Sequence, residues 1–410
     1  MHSPSISIIT ATLNRGQHLI PTLTSALRQS HQNFEIIVVG DGCTDDTEQV
    51  LQPYISERVR WHNLPKNSGS QSAPNNKGLE LAKGHYIAFL GHDDIWSPDH
   101  LDLLMKTFEA GADIAVSGCV FHGPPGGNFH TVTGLFSASK EVETHFFPPS
   151  SFALTRRAAE RIGKWQMPES VRAPVDADYC LRGISEGLNF RSTGQITVHK
   201  FAAGHRYLSY LKQSSDEQEE MLSFLQHGNT PQWREGLISS AKAAKRFMIM
   251  TLPDFSKNEP GELFHRNAEN RGLRLPGLME LVSEKMIAQD DGPRAIDWAP
   301  LAPGTKFRWS LHNPRPKILI PYSSTKPVNF SVDIHGMSQE ARSALAVQVN
   351  GERVAHSLSF TDRGVMELAF AAKLLPDKHS IVELNAPLGA VQNGWIRGIA
   401  VGDIRLSPQV

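Results

Sequence analysis

Four stretches of this chain hold residues whose types and spacing could do chemistry. In VVGDGCTDDT (Val38–Thr47), Asp41 directly follows an apolar run and stands between Gly40 and Gly42. Glycines let a backbone turn sharply and approach a ligand, and a carboxylate there can accept hydrogen bonds from a base or a ribose. Thr44, Asp45 and Asp46 suit the start of the helix that follows, as caps and as acids at the positive end of its dipole. In YIAFLGHDDIWSPDHL (Tyr86–Leu101), an apolar run ends at Gly91, and His92, Asp93 and Asp94 come together before a helix near Pro98. Mg²⁺ and Mn²⁺ take hard oxygen ligands, usually one or two carboxylates plus substrate phosphates. The alternative is a turn whose Asp side chains bond their own backbone.

The third stretch is APVDADYCLRGISEGL (Ala173–Leu188). Pro174 disfavours a helical Ala173, so a helix starts after it with Asp176 and Asp178 in its first turn. One of them could act as a general base on an acceptor hydroxyl, or both could be acids placed for the helix dipole. The fourth is ITVHKFAAGHRYLSY (Ile196–Tyr210), where His199 ends an apolar run and Lys200, His205 and Arg206 add positive charge suited to phosphates. Each histidine there reads equally well as a structural one. Trp96 and Trp165 could stack on a sugar face or simply pack.

These residues need elements to position them. Ser5–Leu13, Phe34–Gly40, Tyr86–Leu90 and Ala112–Val120 read as strands buried on both faces. Between them, Leu19, Leu23, Ala26 and Leu27, and then Leu101, Leu104, Met105 and Phe108, recur at helical spacing. The alternation predicts an α/β fold of βαβ units with a mainly parallel sheet. In such sheets ligands bind beyond the carboxyl ends of the strands, which is where Asp41 and Asp93 fall. Tyr207–Leu225, Arg234–Leu252 and Leu275–Ala288 read as helices, and the acidic run Asp216–Glu220 as a solvated helix face. Short strand-like runs follow: Lys306–Leu311, Val328–Ile334, Leu345–Val349, Val365–Ala371, Ile381–Leu384 and Ile396–Leu406. Asn350–Gly351 is a two-residue hairpin signal, and the pattern predicts an all-β sandwich or jelly roll. The expected division is residues 1–205, a helical middle at 206–300 and a β-domain at 301–410. Trp309, Tyr322 and Trp395 of the last part could form a sugar platform or belong to its core.

Composition bounds the partners. The 410 residues carry 41 basic and 42 acidic side chains, a formal charge of −1. That balance lacks the basic footprint of a nucleic-acid binder. Cys43, Cys119 and Cys180 form no CxxC pair and no disulfide framework. The N-terminus does not read as a signal peptide, and no apolar run reaches the ~18 residues of a membrane span. The expectation is a cytoplasmic chain, with peripheral membrane contact and homo-oligomers left open.

Taken in order, SIITATLNR (Ser7–Arg15), VVGDGCTDDT, NSGSQSAPNNKGLELAKGHYIAFLGHDD (Asn67–Asp94) and VDADYCLR (Val175–Arg182) resemble the family-2 glycosyltransferases of the GT-A fold. The resemblance implies inverting transfer of a sugar from a nucleotide-diphosphate donor, commonly a UDP-sugar, to a glycan or other hydroxyl acceptor. It implies Mn²⁺ or Mg²⁺ as cofactor and a role in polysaccharide or glycoconjugate biosynthesis. Thr10 and Asn14 would line the nucleotide pocket, Asp41 would bind the base, and Asn67, Gly69 and Asn76 match the donor loop. The family's Asp-x-Asp falls on Gly91-His92-Asp93, so its first carboxylate is missing. Asp93 would bridge metal and diphosphate, His92 would approach the ribose or the ion, and His199 matches a late metal-facing histidine. Asp176 takes the place of the family's base, with Val175 where a Glu is usual. The alternative to an enzyme is a nucleotide-sugar or glycan-binding protein with weakened catalysis. A nicotinamide-dependent oxidoreductase is disfavoured, because TATLNRG after the first strand is not GxGxxG.

Overall fold

Strands that are apolar at every position must be covered on both faces. A computed structural model shows that arrangement. It describes residues 4–123, 130–137, 145–201, 214–227, 230–246, 255, 258–262, 264, 277–287, 307–311, 315–361, 364–387, 391–392 and 395–409. These residues fall into two compact units, one within 4–122, 130–201 and 214–264, the other from 277 onward.

The first unit holds strands β1 (Ile6–Thr12), β2 (Phe34–Gly40), β3 (Val59–Asn63), β4 (Tyr86–Phe89), β5 (Ile95–Trp96), β6 (Ile114–His122), β7 (His130–Thr133), β8 (Phe152–Thr155) and β9 (Phe190–Lys200). Its helices are α1 (Gly16–Leu27), α2 (Thr47–Leu51), α3 (Ser72–Leu81), α4 (His100–Glu109), α5 (Arg156–Ile162), α6 (Val175–Ser185), α7 (Asp216–His227) and α8 (Thr230–Ala243). The sheet runs β3-β2-β1-β4-β8-β6-β9-β5, with β7 beside β6. Alternating side chains divide its two faces. Ile6 and Ile8 pack with Leu19, Leu23 and Leu104 on one side. Ile9, Ile87 and Phe89 pack with Trp165 and Tyr179 on the other.

The expected α/β layering is met, but the sheet is mixed rather than mainly parallel. β8 lies antiparallel between β4 and β6, and β5 is antiparallel to β9. β8 is only four residues long and begins just after Pro148 and Pro149, so it leaves no long apolar run to read. The helices α7 and α8 belong to the first unit. Arg234 of α8 makes a two-pronged ion pair with Asp99, at 2.8 and 2.6 Å. Leu225 and Trp233 cover Ile95 and Phe201, while Leu237, Ile238 and Ala241 cover Val120, Val132 and Ile196.

In the second unit, the helix expected over Leu275–Ala288 is not found. Its described part contains short strands at Met279–Glu280 and Lys285–Ile287. Met279, Val282 and Met286 are exposed, so the apolar spacing there does not mark a buried helical face. Met279–Glu280 pairs in parallel with Tyr322–Ser323, and the other described strands, Lys285–Ile287 included, form antiparallel sheets of seven and four strands. Val332, Phe330 and Ile404 of the larger sheet share one core with Ile318, Val347 and Leu384 of the smaller, as in a sandwich. Asn350 and Gly351 have φ of 55° and 89° between paired strands, the backbone a tight two-residue hairpin needs. Tyr322 is buried in this core; the side chains of Trp309 and Trp395, like His205 and Arg206, lie outside the described residues.

One close approach sets the distance between α3 and the sheet. A Cβ on Gly78 would lie 2.3 Å from Cγ2 of Ile9. Gly78→Ala should therefore destabilise the fold by about 1–3 kcal/mol, although alanine favours an isolated helix by ~1 kcal/mol. The urea-unfolding midpoint checks the sign.

Candidate active site

The adjacency of β2, β1 and β4 brings three loops side by side. The amide of Asp41 donates to Thr12 O at 2.8 Å and that of Leu90 to Ile9 O at 2.9 Å. Asp41 is buried at the end of β2. Its carboxylate accepts from the amides of Ser68 (3.0 Å) and Gly69 (3.1 Å), and Asn67 Oδ1 also accepts from Gly69. Gly42 and Gly69 have φ of +70° and +79°, and a Cβ on Gly42 would meet Asn67 N at 2.3 Å. The segment around Asn67–Gly69 is thus seated directly on Asp41–Gly42. Asn14, itself at φ 49°, accepts from the amide of Thr44 at 2.8 Å and joins the loop after β1 to the same cluster.

Two residues expected here lie elsewhere. Thr10 is fully buried within β1, because the strand's alternation turns it toward the α1 side with Ile6 and Ile8. Asn76 bridges α3 to Trp165: its Nδ2 donates to Trp165 O (2.9 Å) and its Oδ1 accepts from Trp165 N (2.8 Å). Trp96 and Trp165 are both buried in the core, so neither offers a sugar face.

After β4, the carbonyls of His92 and Asp94 accept from Thr22 Oγ1, and that of Asp93 accepts from Gln218 Nε2 of α7. Asp93 and Arg15 each lie close enough to His18 for their charges to act on it. Burial and Arg15 lower the His18 pKa against the pull of Asp93. Asp94 turns inward and is wholly buried. Lys200 Nζ reaches its carboxylate at 3.0 and 3.3 Å, and Ser150 Oγ donates to it while accepting from Gly91 N. Burial pushes the Asp94 carboxyl up against the pull of Lys200. Burial would lower the Lys200 ammonium, but the charges of Asp94 and Asp93 outweigh it and hold it protonated. A Cβ on Gly91 would stand 2.8 Å from Asp94 Oδ2. The inward carboxylate therefore occupies the space that a side chain at 91 would enter.

His199, expected to face a metal, lies inside the core. His199 is fully buried, with His122 Nε2 at 3.2 Å from Nδ1, Ser97 Oγ at 3.4 Å from Nε2 and Trp233 stacked on the ring. Burial and His122 hold its pKa well below the ordinary value. No group of three or more His, Cys, Asp or Glu side chains able to hold a metal occurs among the described residues.

Asp176 and Asp178 separate cleanly. Asp178 pairs with Arg182 at 2.9 Å, and that guanidinium also donates to the carbonyls of Ile162 and Lys164. Asp176 accepts from the amide of Ala177 at 3.0 Å. One turn on, Tyr179 stacks on Trp165 and meets the edge of Phe89, the last residue of β4. That contact fixes the first turn of α6 relative to the strand end preceding Gly91. Sequence reasoning missed the inward turn of Asp94 and its pairing with Lys200, and it missed His18. The Asp93–Asp94 doublet and the VHK run were visible signals of the pair; His18 carries none.

Residues 7–163 match the sequence model of the family described as Glycosyl transferase family 2. This segment is a family-2 glycosyltransferase domain. Over 101 residues the chain is 44% identical to the putative teichuronic acid biosynthesis glycosyltransferase TuaG of Bacillus subtilis, covering 24% of this chain and 40% of TuaG. Over 135 residues it is 31% identical to the glycosyltransferase GlyG of Streptococcus pneumoniae, covering 32% and 45%. The chain thus spans less than half the length of either relative. Among solved structures, S. aureus TarS in complex with UDP-GlcNAc aligns over 64% of this chain and 79% of that one, at 18% identity and a TM-score of 0.42. No helix among the described residues of the glycosyltransferase domain or beyond it is long and apolar enough to cross a membrane.

Asp41→Asn keeps one acceptor oxygen but turns an amide NH₂ toward two N–H donors. Hydrogen exchange at Ser68 and Gly69 should rise by about ten- to hundredfold, since a bond to a charged acceptor contributes roughly 1.5–3 kcal/mol. The buried histidines set a second expectation. Burial lowers His100 to about 3, and His199 is likewise held neutral. Above pH 6.5 this has no effect on stability. As pH falls below the unfolded value of 6.5, the unfolded chain takes up protons that the folded one refuses. Stability then drops by about 1.4 kcal/mol per pH unit per histidine. Denaturation midpoints should fall between pH 6.5 and 4.5, less steeply in His100→Gln.

Proposed function

We propose that this chain transfers a sugar from a nucleotide-diphosphate donor, a UDP-sugar by the family's habit, to a hydroxyl of a growing glycan or other acceptor. The observation that supports it most is the clustering of Asp41, Asn67, Gly69 and Asn14 beside the Asp93 loop within a family-2 domain. Asp41 and the clamped segment form a rigid, polar seat for a base and ribose. The Gly91–Asp93 loop follows the neighbouring strand end, where a diphosphate attached to that nucleoside would extend. A divalent cation held there by Asp93 and the phosphates would neutralise charge developing on the leaving diphosphate.

Asp176 acts as the general base. Asp178 pairs with Arg182, and Asp176 stands in the same first turn at the position that matches the family's base. Proton removal on one side and departure of the diphosphate on the other give a single displacement with inversion. The kinship to TuaG supports an acceptor in polysaccharide synthesis, with the C-terminal β-unit as an accessory.

Gly91 favours a second reading, a nucleotide-sugar-binding protein of weak activity, because it stands where the motif's first carboxylate would be. Calorimetry and turnover over a panel of nucleotide sugars, with Mn²⁺ or EDTA, separate the two. For the enzyme, a donor binds and is turned over. Asp176→Asn should bind it within about twofold and lose roughly 10²–10⁴ in turnover. Undiminished turnover would remove Asp176 as the base, and binding without turnover in the unsubstituted protein would leave the second reading.

A further inference from the structure

A buried carboxylate needs a partner, and the partner of Asp94 is a side chain that is not itself fully buried. Asp94 has no exposed surface, whereas about a quarter of the Lys200 side chain is open. An ammonium has three N–H groups, and its contacts among the described residues are the two oxygens of Asp94. At least one N–H therefore points away from the pair. Ser150 holds the carboxylate from the other side and ties it to the Gly91 amide, so the ammonium is fixed to the same loop that carries Asp93. A pair serving burial alone could sit fully inside or be replaced by apolar side chains at little cost. This one stands at the carboxyl end of β4, where the motif has lost a carboxylate.

We propose that Lys200, oriented by Asp94, is a protein-borne cation that binds the donor's diphosphate, so that diphosphate recognition persists without a metal. The chemistry is a charge-assisted N–H···O bond from the ammonium to a phosphate oxygen. Charge count favours it. A full Asp-x-Asp brings two carboxylates that require a cation before phosphate can approach. Here Lys200 offsets the charge of Asp94, so Asp94 adds no net negative charge to the loop. The proposal rests on the reading of the site as a nucleotide-diphosphate site.

The test is isothermal calorimetry in EDTA with UDP, UMP and uridine, and with GDP and GMP as a second base. The unsubstituted protein should prefer a diphosphate to its monophosphate by about tenfold. In the double variant Asp94→Asn/Lys200→Met, which leaves no buried charge unpaired, the preference should shrink to within about twofold while uridine binding is unchanged. Lys200→Arg should keep it. A purely structural pair would shift all the ligands together. An undiminished preference in the double variant, or none in the unsubstituted protein, overturns the role of Lys200 and leaves the proposed function standing. Failure of the unsubstituted protein to bind any of the nucleotides in EDTA overturns the role of Lys200, and failure with Mn²⁺ as well overturns both. Should the double variant not fold, Lys200→Gln, which keeps an N–H donor for Asp94, is read against the same ratios.

Discussion

The placement of β1 between β2 and β4, covered by helices on both faces, is the constraint from which the rest of this unit follows. Ile6, Ile8 and Ile9 are packed on all sides, so no polar group along the strand can reach a ligand. Polar chemistry is confined to the strand ends. There the chain leaves β1, β2 and β4 through Asn14, Asp41 and Gly91, and two backbone bonds hold those exits side by side. The fold makes the site by exclusion: it is the edge at which the buried register ends.

Burial also sorts the charges. Asp41 keeps its carboxylate bonded to two amides, Asp94 is buried against Lys200 and Ser150, and Asp178 is held by Arg182. Each has a partner that accounts for its orientation. Asp93 and Asp176 are half-buried, at the loop after β4 and in the first turn of α6. Neighbouring carboxylates thus differ in burial, Asp94 being wholly enclosed and Asp93 half-buried. Side-chain direction along a strand end and pairing across a helical turn separate them.

Much of this was legible in the sequence. β2 has the boundaries its apolar run gives, α1 and α4 follow the Leu spacing, and Pro174 marks where α6 begins. Asp41 could be placed because glycines flank it at the end of a clear strand. Legibility failed where a partner distant in sequence decides the outcome. Thr10 and Asn76 match the family by type, yet one faces the core and the other spans to Trp165. His199 looked like a ligand until His122, Ser97 and Trp233 closed around it. β8 was hidden by its shortness, and the apolar spacing around Met279 imitated a helix without a surface to bury it against.

The packing of α7 and α8 bears on where this unit can be cut. The match to the glycosyltransferase family stops at residue 163, and β9 ends at Lys200. Yet Ile95, Val120, Ile196 and Phe201 are covered by side chains from Met221 to Ala241. A fragment ending near residue 205 would bare that apolar strip and strand Asp99 without Arg234, inviting the self-association that exposed patches promote. The smallest piece that seals its own surface extends through α8, so the boundary of autonomous folding lies well past the boundary of family resemblance.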